Sequence, residues 1–127
     1  MEKNWVSALT AQASAAKTLI DTITVPQGVT KLVEVGTILS ALGVTTLFSY
    51  DHILELESDD ATNWGGTQQF AMPGPAVLGT EGPGCNLGGK VCDCNIPVSP
   101  GSHIKLSTTF GNSPTIKPSV RGFGKFV

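Results

Sequence analysis

Three cysteines, Cys85, Cys92 and Cys94, are clustered in GCNLGGKVCDC and are the densest group of reactive side chains in this 127-residue chain. Zinc takes four ligands, as a rule from pairs about two to four residues apart, and three thiols at this spacing do not make that set. Two readings stay open. Cys92 and Cys94 alternate in phase with Ile96 on an expected core face, so both can serve as small buried residues. Otherwise Cys85 bridges to Cys92 or Cys94 and staples the Gly-rich loop between them, with Cys85–Cys94 as the candidate disulfide. An odd count leaves at least one thiol free or joined to another chain.

The carboxylates Asp51, Glu55, Glu57, Asp59 and Asp60 form the second cluster. Paired acids hydrolyse glycosides when one of them is desolvated and its pKa raised. Here the first three alternate along an outward strand face and the last two lie in the loop DDATNWGGT, so a solvated, salt-bridged face is the reading. Asp59, Asp60 and Asn63 offer oxygens of the kind calcium takes, but not at EF-hand spacing. His52 falls within an apolar strand face, as a core histidine does, and His103 is distant from it. No G-x-S-x-G, H-E-x-x-H or recognisable Cys/His pair occurs. The glycines of 79–89 do not lead from a strand into a helix and therefore do not cradle phosphate. No catalytic residue, metal or cofactor is expected, and the chain reads as non-enzymatic. Trp5 and Trp64 lie outside the expected strands. With Asn63 they are the candidates for ligand or subunit contact. Trp64 could stack on a sugar ring, or each tryptophan could anchor onto its own domain.

The elements that must position these groups are strands. Short alternating runs closed by Gly- or Pro-bearing turns recur along the chain, the signature of a two-sheet sandwich. Strands are expected at 15–25, 30–41, 45–58, 68–72, 76–78, 90–98, 103–110 and 115–126, with turns at Pro26-Gln27-Gly28 and Ser99-Pro100-Gly101-Ser102 and a bulge near Gly122 and Gly124. In 45–58, Phe48, Tyr50, His52, Leu54 and Leu56 share one face. The expected fold is all-β: an eight-stranded jelly-roll sandwich of two four-stranded antiparallel sheets spanning 15–127, preceded by a short arm or helix at 1–14. An immunoglobulin-like sandwich is the rival topology. In a jelly roll the last strand lies beside the first and the third, which would set Asp51, Glu55 and Glu57 against Lys117, Arg121 and Lys125 as cross-strand charge pairs.

Composition bounds the function. Charged residues are 14% of the chain, against about 25% in ordinary soluble domains, so the surface is weakly protected against association. A net charge of −2 argues against a general grip on nucleic acid. Residues 1–13 have no continuous apolar core, so no secretory leader is read there. The longest uncharged apolar run, 35–50, is too short and too rich in Gly, Ser and Thr to span a bilayer.

In TITVPQGVTKLVEVG, the run ending ELESDD, VSPGSHIKL and the terminal RGFGKFV, the chain resembles small single jelly-roll structural proteins of viruses: capsid, penton or capsid-decorating subunits. The resemblance covers residues 15–127 in layout and composition. It implies a non-enzymatic subunit that self-assembles through edges, loops and a terminal arm. Its partners would be other copies of itself and other virion proteins, without direct nucleic acid contact because no strongly basic arm is present. Its place would be the virion, after synthesis in the host cytoplasm. The alternative is an extracellular carbohydrate-binding sandwich that takes glycans through Trp64.

Overall fold

The computed structural model describes residues 2–41, 51–72, 85–86, 91–111 and 119–127. Their regular structure is entirely strand: β1 (Lys3–Val6), β2 (Ala11–Gln12), β3 (Thr18–Thr24), β4 (Lys31–Ala41), β5 (His52–Ser58), β6 (Gln68–Met72), β7 (Cys85–Asn86), β8 (Val91–Pro97), β9 (His103–Phe110) and β10 (Ser119–Phe126). They form two antiparallel sheets. In the first, β10 and β4 lie side by side at the centre. Strands β1 and β2 share the far edge of β10, and β7 and β8 share the far edge of β4. The second runs β3-β9-β5-β6.

Alternation dictates which face is buried, because successive side chains of a strand point to opposite sides. On β5, His52, Leu54 and Leu56 are buried while Ile53 and Glu57 are exposed. On β10 the even positions from Val120 to Phe126 are buried. With Leu32, Val35 and Leu39 of β4 and Ile104, Leu106 and Phe110 of β9 they make one core between the sheets. Each such aliphatic or aromatic side chain contributes about 1.5–3 kcal/mol on burial. Thr37 of β4 and His52 of β5 are buried in the same layer, and a 2.8 Å hydrogen bond between Oγ1 and Nε2 ties one sheet to the other. The His52 ring also stacks on Phe110 at 4.5 Å. The histidine placed in the core by its strand face is a core histidine.

The two expected turns form where a left-handed residue is needed and glycine supplies it: Gly28 has φ 85° and Gly101 φ 86°. Gly101 N donates to Val25 O at 2.9 Å, so the second turn closes against the end of β3.

Three expectations are corrected. Residues 3–6 and 11–12 are not a free arm; they pair with β10 as an edge of the first sheet. This raises the strand count ahead of β3 by one position, so β10 lies beside β1, β2 and β4, while β5 belongs to the other sheet. Asp51, Glu55 and Glu57 therefore do not face Arg121 and Lys125; Lys117 lies outside the described residues. Finally, the irregularity of β10 falls between Lys125 and Phe126, where β4 gains a residue between Glu34 and Leu32. That shift carries Leu32, rather than Val33, into the core. The expected strand at 76–78 and residues 45–50 lie outside the described residues.

Candidate functional surfaces

The loop 59–67 is held by its own polar groups. Asp59 Oδ1 accepts the His103 amide and Oδ2 the His103 Nδ1–H, both at 2.8 Å. The amide bond, then the ring, holds the Asp59 carboxyl below its ordinary pKa. Asp60 accepts from Asn63 N at 3.3 Å and from Asn63 Nδ2 at 2.8 Å, and the same Nδ2 donates to Ser99 Oγ at 2.8 Å. Asn63 leads the causes that lower the Asp60 pKa. The one-turn knot folds Trp64 inward: its amide donates to Asp60 O at 3.0 Å and its side chain is 6% exposed within the core cluster. Trp64 is thus an anchor on its own domain and offers no ring face to a sugar. Asn63 is exposed, but its amide is engaged by the loop. Among the described residues no group of three or more His, Cys, Asp and Glu is arranged to hold a metal ion.

Asp59 and His103 also border a shallow depression with Thr22, Glu57, Ser58 and Lys105. An Asp–His pair can orient a base toward a hydroxyl. The Ser58 hydroxyl here accepts the Asp60 amide at 3.0 Å. Both members of the pair are more than half exposed, so water screens them. The pairing spans 44 residues of sequence, and no local motif signals it. A second hollow lies at the end of β5, β6 and β9 and is lined by His52, Ile53, Ala71, Met72, Thr109 and Phe110.

The acidic face of β5 finds its partners within the second sheet. Glu57 stands opposite Lys105 of β9. Glu55 pairs with Lys17, just ahead of β3, and accepts from Gln69 Nε2 of β6 at 3.0 Å. These two contacts, Lys17 first, pull the Glu55 pKa down, and Glu55 raises that of Lys17. Asp51 at the head of this face accepts the Gly111 amide through its carbonyl at 3.3 Å. In the first sheet Arg121 is exposed opposite Ile38, and Lys125 Nζ lies 3.9 Å from Glu34 and 4.0 Å from Glu2.

The cysteines are placed by register. Cys85 stands opposite Ala41 at one end of β4, and its side chain is outside the described residues. Cys92 stands opposite Val35, and Cys94 is beyond Asp93, which faces Glu34. Six or more residues of β4 separate the two levels, roughly 20 Å at about 3.3 Å per residue, whereas a disulfide needs Cα atoms within about 7 Å. Cys92 and Cys94 are free thiols, half-buried against the core, so the Cys85–Cys94 bridge is not made. The Cys94 thiol donates to Leu32 O at 3.4 Å. Burial first, then Cys92, Asp93 and Glu34, push its pKa up to about 11.

Trp5 has the role that sequence reasoning left open. It pairs with Gly124 on β10 and its indole lies over the two terminal-strand glycines. A Cβ on Gly124 would come within 2.6 Å of the ring and would also strike Glu34 O, and one on Gly122 would meet Leu106 Cδ2 at 2.7 Å. The glycines of RGFGK vacate space for Trp5 on one side and Leu106 on the other. The Trp5 ring is 6.2 Å from Phe126, and neither its Nε1 nor that of Trp64 meets an acceptor among the described residues.

No protein-family model matches this chain, and no curated protein matches its sequence.

Proposed function

We propose that this protein is a non-enzymatic structural subunit that self-assembles, and that its assembly is a viral capsid or a capsid-associated layer. The observation that carries the reading is the strand order. One sheet is β1/β2-β10-β4-β7/β8 and the other β3-β9-β5-β6. Counting β1 and β2 as one first strand, the last strand lies between the first and the third, which is the rule of the jelly roll. We infer that topology here, and with it the architecture of the viral subunits whose layout the sequence resembles. Fold by itself does not assign function. Two further observations favour assembly: the charge-poor composition, 14% charged residues, and large apolar side chains left exposed at Val6, Leu9, Leu19, Ile53 and Val91. Other copies of the chain and other virion proteins are the proposed partners, and the virion its place.

Light scattering on the purified protein, with electron micrographs of the same peak, tests this. Large regular oligomers or shells are expected. A clean monomer at every concentration would overturn the reading. The glycan-binding reading has lost its sugar platform, since Trp64 is in the core; a fluorescence response to a glycan panel would restore it.

A further inference from the structure

The outward face of the first sheet carries a transverse row that no local sequence pattern reveals. Register places Val6 of β1 opposite Phe123 of β10, Phe123 opposite Gly36 of β4, and Gly36 opposite Val91 of β8. Residues directly opposite in antiparallel strands share a face, so these four form one stripe across the whole sheet. Val6 is 55% and Val91 48% exposed, Phe123 is partly buried, and Gly36 is buried between its neighbours. The neighbouring row is polar, with three charges: Asn4, Lys125, Glu34 and Asp93, on the same four strands in the same order. On the other side of the stripe stand Arg121 and Ile38.

We infer that this face docks on the same face of a second copy, about a two-fold axis that runs parallel to the strands midway between β10 and β4. The inference rests on the self-assembly reading above and names its contact surface. The argument is charge complementarity. Such an axis exchanges β10 with β4 and β1 with β8 while keeping each row level with itself. Phe123 then lies level with the second copy's Gly36, and Val6 meets its Val91. Lys125 meets its Glu34, Glu34 its Lys125, and Asn4 its Asp93. Lys125 and Glu34 lie 3.9 Å apart within one chain and their side chains are 29% and 31% exposed, so each can also reach a partner above the sheet. Turning the two-fold by a right angle within the face would instead set Lys125 over Arg121, a like-charge contact that costs free energy. The face therefore selects one of the two arrangements. Four strands about 4.8 Å apart and six residues of about 3.3 Å cover roughly 400 Å², against about 800 Å² per partner in a standard interface. The contact is accordingly a weak, concentration-dependent one, of the kind that gains strength when repeated in an assembly.

The test is a charge-exchange experiment on the full chain, read by sedimentation. Lys125→Glu and Glu34→Lys, each alone, lose two reciprocal surface pairs and should associate about tenfold more weakly, the equivalent of about 1.4 kcal/mol. An equimolar mixture of the two should recover association, because every cross-copy pair is then opposite in sign. A contact within one chain cannot produce that recovery. Val91→Glu, at a position that is not in the core, should weaken association without disturbing thermal unfolding. Association of the wild type that is untouched by all three substitutions, or single-variant losses that mixing does not recover, would overturn this interface and leave self-assembly standing. A wild type that never associates would overturn both.

Discussion

The two open sides of the sandwich are built differently. On one, β1 and β2 meet β3. Trp5 closes the gap over Gly122 and Gly124, Ser7 exchanges hydrogen bonds with Gly122 at 2.8 and 3.1 Å, and the Ala8 amide donates to Asp21 Oδ2 of β3 at 2.7 Å. On the other, β8 faces β6 across a groove between Phe70 and Cys92, and none of the seven residues of β8 is buried. Strand β8 is rich in apolar side chains, yet, like β1 and β2, it has no buried residue. What closes a side is a residue large enough to reach across it, together with partner positions that leave room. Tryptophan over glycine meets both conditions; the thiols of Cys92 and Cys94 are too short to span the same gap.

The largest test of that contrast is Gly124→Ala. The added methyl has no space between the Trp5 ring and the Glu34 carbonyl, and a backbone atom cannot give way as a side chain does. A loss of about 3 kcal/mol is expected in urea unfolding; a neutral result would show that the indole is not seated there. Trp5→Ala empties the same side and should cost about 2–3 kcal/mol, less than a fully buried tryptophan because the ring is partly exposed. Next comes the tie between the sheets. Thr37→Val keeps the shape and removes the 2.8 Å bond to His52, for about 1–2 kcal/mol in the same assay.

On the open side, Cys92→Ser and Cys94→Ser should each change stability by less than about 1 kcal/mol, since the site is not sealed. The sharper readout there is pH. Because the Cys94 thiol ionises only near pH 11 in the folded chain against an ordinary value of 9.0, the folded state holds a proton that the unfolded state gives up. Its contribution is whole below pH 9 and is lost as pH rises toward 11. Unfolding followed between those limits should show that decline in the wild type and lose it in Cys94→Ser, and alkylation of Cys94 should stay slow until the same window.

Much of the second sheet was legible in advance. The strands at 68–72 and 103–110 appear with the bounds expected, and the alternation His52, Leu54, Leu56 points inward as read. Period-2 patterning is local, so strands that keep it announce themselves. The N-terminal strands carry no such run: KNWV shows one apolar pair, and AQ is two residues long. Pairing with β10 makes them strands. A strand count that begins at β3 places every later strand one position early, which sets the acidic face of β5 against β10 instead of Lys17 and Lys105. Trp64 could not be placed because burial of a loop tryptophan depends on how the Asp60–Asn63 knot turns the chain.

By itself, then, the sequence determined that this chain is an all-β sandwich, where most of its turns fall and which faces of its patterned strands are apolar, because those properties reside in neighbouring residues. Tertiary structure alone decided which strands are neighbours, that Cys85 and Cys94 stand too far apart to bridge, that Asp59 meets His103, and that Val6, Phe123, Gly36 and Val91 form one row. Each of these relates residues that are not neighbours in the sequence, and only the register of the finished sheets sets them.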